Sequence, residues 1–180
     1  GSGWTNSSCS KFHNFINVNN IPVATSFRRQ DLFDHKNENF AGSFGTSVSP
    51  KLIDSTKKSD LIIVLGARLG EMTTQGYNII RPQDISKNIM HIHVDPNELN
   101  KVYNANLCIN VGVNECCDKL EELTLDNSNR WKEWRNELNK NYLEDSKPQK
   151  NRNVNNLSKI FEIVEKKITT NSIINIDAGN

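Results

Sequence analysis

Asp60-Leu61-Ile62-Ile63-Val64-Leu65-Gly66-Ala67-Arg68 constrains the fold of this chain more than any other stretch. A short run of leucine and β-branched residues, entered through an acid and left through a glycine, reads as a strand buried on both faces. Strands of that kind belong to parallel sheets. A second run, Ile89-Met90-His91-Ile92-His93-Val94, ends in Asp95-Pro96. Two strand ends therefore offer a glycine turn, a cation and a carboxylate where open α/β sheets hold their ligands.

At 180 residues the chain can bury roughly two thirds of its unfolded surface, which fits one domain and a tail. The 22 basic and 21 acidic residues leave a formal charge of +1. The basic residues are scattered rather than gathered on one face, which argues against nucleic acid as a partner. No apolar run reaches the roughly 20 residues of a membrane span, and Gly1-Ser2-Gly3-Trp4 lacks the charged and apolar regions of a secretory leader. A soluble, cytoplasmic protein with no membrane partner is expected. Cys9, Cys108, Cys116 and Cys117 have no C-x-x-C spacing, so reduced, mostly buried thiols are expected.

The spacing of Trp4, Cys9, Phe12, Phe15 and Ile16 predicts a helix over 5–19, capped by Thr5 or Asn6. Ile21 to Thr25 reads as a strand with Pro22 at its entry. Gly42 and Gly45 punctuate a loop before Ser49 caps a helix over 50–57 with proline first. After the strand at 61–65 comes a long connection through Glu71, Gln75 and Tyr77, of a length that is more often functional than idle. The strand at 89–94, a helical turn capped by Asp95, a strand over 107–111 and a helix over 114–123 follow, with Cys117, Leu120 and Leu123 on its inner side. This alternation implies right-handed crossovers and an open, mostly parallel α/β sheet flanked by helices. A helix over 130–143 places Trp131, Trp134, Leu138 and Tyr142 on one face. Residues 144–156 read as a linker, a helix spans 157–168, and Ile173 to Asp177 reads as a closing strand. Gly1-Ser2-Gly3 looks like the turn after a first strand, so a fragment lacking its N-terminal strand is expected.

Gly1-Ser2-Gly3-Trp4, Ile21 to Arg28, Phe40-Ala41-Gly42-Ser43-Phe44-Gly45-Thr46, Asp60 to Arg68 and His91 to Pro96, taken in that order and spacing, resemble the central domain of thiamine diphosphate-dependent enzymes of the acetolactate synthase type. The resemblance runs from residue 1 to about 125. It implies a six-stranded, Rossmann-like sheet lying between a pyrimidine-binding and a diphosphate-binding domain. On that basis 1–143 is the central domain, 144–156 the linker and 157–180 the start of the truncated diphosphate-binding domain. Thiamine diphosphate and Mg2+ serve the intact enzyme, which acts on a 2-oxo acid as carboligase or decarboxylase. The activating glutamate and the Gly-Asp-Gly…Asn metal motif of that family are not in this sequence, so no catalytic or metal-binding residue is assigned and the fragment alone is expected to be inactive.

Some relatives hold FAD in this domain, others ADP or nothing. By position, the resemblance puts Gly1, Ser2, Gly3, Thr25, Ser26, Phe27, Ser43, Phe44, Gly45, Gly66, Ala67, Arg68 and Asp95 around that crevice. Glycine would let backbone approach a pyrophosphate, the helix start at Thr5 would offer free N–H groups, and Arg68 would add charge. Gly1-Ser2-Gly3 and Gly70 to Tyr77 depart from the flavin-holding pattern, which weighs against FAD. Plainer roles compete: Gly66 ends a strand, Arg68 pairs with Glu71 or a neighbouring domain, and Asp95 caps a helix. His91 and His93 pack and hydrogen-bond rather than bind metal. Arg28 and Arg29 with Asp31 and Asp34 form a solvated or interdomain charge cluster, with a substrate-facing Arg28 as the lesser reading. His13 and His35 carry no readable task. Neighbouring domains of the same polypeptide and a homodimer or homotetramer are the partners implied. The competing reading is a free-standing FAD- or NAD-binding module without thiamine chemistry.

Overall fold

The computed structural model describes residues 3–84, 88–147 and 157–175. They divide into two units, 1–145 and 146–180. In the first, α1 (Asn6–Asn19) leads to β1 (Val23–Thr25) and β2 (Phe40–Ser43). The helix α2 (Pro50–Lys58) leads on to β3 (Leu61–Leu65), α3 (Glu71–Thr74), β4 (Asn88–His93), β5 (Leu107–Asn110), α4 (Val113–Leu120) and α5 (Lys132–Asp145). Every pairing is parallel, as the strand-and-helix alternation requires: β1 beside β2, and β3 beside β4 beside β5. The α/β class holds, with the strands shared between two sheets.

Local chemistry explains most boundaries. Thr5 caps α1 through a reciprocal box in which the Ser8 N–H donates to Thr5 Oγ1 (3.1 Å) and the Thr5 N–H to Ser8 Oγ (2.9 Å). Asn20 ends the helix in the left-handed region at φ 52°. Ser49 and Pro50 start α2 as expected. Thr56 and Ser59 return hydrogen bonds at its end.

Several expectations are corrected. The stretch read as a loop around Gly42 contains β2. Gly42 is needed there because a Cβ would stand 3.2 Å from Leu52 of α2, at φ +126°. The strand β3 is not buried on both faces: Val64 is buried, but Leu61 and Ile63 are 44% and 48% exposed. Register places Leu61 and Ile63 on one face with Met90 and Leu107, whereas Ile62 and Val64 share the other with Ile89 and His91. Only the second face is closed over by Leu69, Ile79, Ile80 and Tyr103. The helix after β5 stops at Leu120, so Leu123 falls beyond it and is exposed, while Cys117 is fully buried. Three of the four thiols are only half-buried. Burial, then Cys116 and Cys9, push the Cys117 thiol up to about 12.

The helix predicted over 130–143 begins as a 3-10 turn over Ser128–Trp131 and continues as α5 two residues into the expected linker. Its Asn139 side chain donates to Phe40 O (2.8 Å). Since Asn39 O faces β1, Phe40 O faces away from it, so α5 covers the outer edge of β2. The remaining linker positions from 148 on lie outside the described residues. In the second unit, α6 covers Leu157–Glu165. Residues 173–175 form no strand among the described residues, Ile173 being 97% exposed, and 176–177 lie outside them.

Asn19, fully buried, ties distant segments together. Its Nδ2 donates to Phe15 O (2.8 Å) and Leu123 O (3.2 Å), its Oδ1 accepts from the Leu125 N–H, and its backbone carbonyl accepts the Trp131 indole N–H (2.8 Å). Asn19→Ala leaves buried partners unpaired and is expected to cost about 2–3 kcal/mol in urea unfolding, with the exposed Asn6→Ala within about 0.5 kcal/mol of wild type.

A second tie joins α2 to the end of α5, where the Ser49 hydroxyl donates to Asp145 and Lys51 pairs with Asp145 and Glu144. The Ser49 hydroxyl, then Lys51, hold the Asp145 carboxyl below the usual carboxylate range. Its contribution is therefore present above the unfolded value and lost as pH falls through the folded one. Asp145→Asn should lower stability by at most about 1 kcal/mol near neutrality, a difference that thermal melts should show shrinking as the pH is lowered through the carboxylate range.

Candidate functional site

The predicted residues gather at the carboxyl ends of the strands, in two groups. At the ends of β1 and β2, Thr25 Oγ1 and Ser43 Oγ share a hydrogen bond (2.7 Å) and the Phe44 N–H donates to Thr25 O (2.8 Å). The Phe27 ring lies against Gly45, where a Cβ would stand 3.0 Å from it. Ser26 closes the turn below by accepting the Arg29 N–H. These residues border a cleft of about 130 Å³ lined by Phe27, Gln30, Ser43, Gly45, Thr46 and Ser47, with Phe44 behind. The lining is hydroxyl, amide and aromatic, with no ionisable side chain. Arg28, at φ +59°, places its guanidinium 5.0 Å from the Phe27 ring centre.

The second group lies at the ends of β3 and β4. Gly66, buried at φ +64°, donates its N–H to Ile92 O (2.8 Å). His91 Nε2 bonds Ala67 O (2.8 Å), and the Asp95 N–H donates to His93 Nδ1 (3.1 Å). The histidines are thus packed and hydrogen-bonded, as their sequence context implied. Arg68 is 71% exposed and lies 3.8 Å from Glu98, which Lys101 also pairs (3.0 Å). This corrects the expected pairing with Glu71, since the turn after β4 brings Glu98 to Arg68. The Asp95 carboxylate accepts the Asn97 N–H (2.9 Å) as a helix cap. That bond first, and the Asn97 side chain and His93 after it, lower the Asp95 pKa. Gly3 lies nearby, 3.9 Å from Val113 at its Cβ position. Gly1 and Ser2 lie outside the described residues.

Phe44 and Gln75 join the two groups. Phe44 packs against the cluster containing Val64, and the Gln75 amide donates to Gly45 O from a backbone at φ 54°. Sequence reasoning missed Gln30, Ser47 and Gln75 in the first group, and Trp4, Val113 and Asn114 in the second. For the missed Ser47 the signal was a pair of hydroxyl residues straight after Gly45. For Val113 there was none, because its role arises from α4 returning to β3. Of the N–H groups expected free at the start of α1, those of Thr5 and Ser8 are taken by the capping box, and Asn114 Oδ1 also accepts from Thr5.

Residues 1–120 match the sequence model of the family described as thiamine pyrophosphate enzyme, central domain. The chain belongs to that family. No curated protein matches this chain. Among its described residues no group of three or more histidines, cysteines and carboxylates could hold a metal ion. No helix among them is long and apolar enough to cross a membrane.

Gly66 is the most constrained residue of the second group, since a Cβ there would stand 2.6 Å from Val113 Cγ1. Gly66→Ala is expected to cost about 2–4 kcal/mol, from the left-handed backbone and the clash together. A double-mutant cycle with Val113→Ala should recover about 1 kcal/mol of that loss, measured by denaturant unfolding.

Proposed function

We propose that this chain is the scaffolding central domain of a thiamine diphosphate- and magnesium-dependent enzyme of the acetolactate synthase type. The intact enzyme joins or cleaves bonds next to the carbonyl of a 2-oxo acid, as carboligase or decarboxylase. The carrying observation is the family match over residues 1–120, supported by strands that are all parallel. Thiamine diphosphate supplies a carbanion sink when bound. The residues here order strand ends and present surfaces to neighbouring domains of the same polypeptide, within a homodimer or homotetramer in the cytoplasm.

The edges of the sheets support a six-stranded arrangement. Among the described residues β1 and β3 each pair along one edge, and α5 covers the outer edge of β2. A Cβ at Gly3 or at Gly66 would meet Val113 (3.9 and 2.6 Å), so α1 starts beside the carboxyl end of β3 and runs back to β1. A right-handed crossover of that form follows a strand lying between β1 and β3.

The test is to assay the complete gene product that contains residues 1–180 for consumption of pyruvate and other 2-oxo acids. Turnover should require both thiamine diphosphate and Mg2+, and the 180-residue chain alone should show none. A complete product that binds no thiamine diphosphate, or whose flanking sequence lacks a glutamate-bearing domain before and a Gly-Asp-Gly…Asn segment after, would overturn the reading.

A further inference from the structure

The central-domain crevice at the end of β3 is where an adenine or flavin dinucleotide would bring its phosphates, beside Gly66 and the starts of helices α1 and α4. The residues present do not fit such a group. The space that Gly66 leaves open is occupied by the protein itself: Val113 Cγ1 stands 2.6 Å and the Trp4 indole nitrogen 3.8 Å from its Cβ position. Val113 is 7% exposed, and the Trp4 ring is held edge-on by Phe12 at 5.4 Å. Asn114 then stitches the two helix starts together, donating to Gly3 O (3.0 Å) and accepting from the Thr5 N–H (3.3 Å). The Glu115 carboxylate lies against Gly112, the N-cap of α4. A carboxylate satisfies a helix N-terminus as an anion would and repels a second anion. The nearby cation gives no counterweight, because Arg68 faces Glu98.

We infer that this crevice is filled from within, with Trp4 and Val113 taking the space beside Gly66 and Glu115 taking the anion's position, so that the domain excludes FAD and ADP. The glycine at position 66 admits Val113 rather than a pyrophosphate. The indole N–H has no acceptor among the described residues.

The inference is independent of thiamine chemistry, so its failure and that of the proposed function are separable. Equilibrium dialysis of the complete gene product that contains residues 1–180, with FAD and with ADP, should give no saturable binding below about 1 mM. Trp4→Ala combined with Glu115→Gln opens the space and removes the charge, and should bind ADP at least tenfold more tightly than wild type. Trp4→Phe keeps most of the bulk and should bind no better than wild type. Circular dichroism checks that each variant is folded, and Trp4→Leu with Glu115→Gln replaces the alanine variant if that one is not. Micromolar binding of either nucleotide by the wild-type product would overturn the inference. So would a folded, opened variant with no gain in ADP affinity.

Discussion

A single buried amide holds this domain's layers in register. The side chain of Asn19 has no contact with water and meets three backbone groups, while its own carbonyl takes an indole N–H from a residue more than a hundred positions away. An unpaired amide at that depth would be strongly destabilising, so α1, the turn after α4 and the start of α5 must arrive together. Once they do, α1 lies along α4, their first residues meet at Gly66, and α5 is set against β2. The geometry at the strand ends follows from that junction. Arg135 reinforces it: nearly fully buried, its guanidinium reaches Asn20 and Glu38 (3.2 and 2.9 Å).

Elements with a chemical start or stop were legible in the sequence. Thr5 with Ser8, Ser49 with Lys51 behind the donorless Pro50, and Asp95 with Asn97 each satisfy helix N–H groups locally, so α1, α2 and the turn after β4 appear where expected. The strand β2 was illegible because its glycine looks like loop punctuation, whereas it is there to let α2 approach. Burial of β3 was overread for a related reason. An apolar pentapeptide states that a strand is plausible on either face, but the layer that covers each face is set by distant segments, and only one face meets such a layer.

The candidate site was legible in its positions and not in its contacts. Thr25, Phe27, Ser43 and Gly45 do come together around a cleft, and Gly66, Ala67 and Asp95 do cluster at adjacent strand ends. Sequence spacing could not say that Arg68 would face Glu98, or that Val113 would lie on Gly66, because both depend on where the chain returns after β4 and β5. Residue type alone suggested openness at each glycine. Packing decides instead whether a missing side chain leaves room for a ligand or for a neighbour.

The placement of α5 along β2 has a consequence for assembly. A helix amide bonded to the outermost carbonyl of β2 uses up a group that another strand would need. Accretion of backbone onto that flank is thereby disfavoured. A fold so biased protects one border from rogue cross-strand adhesion in the cell.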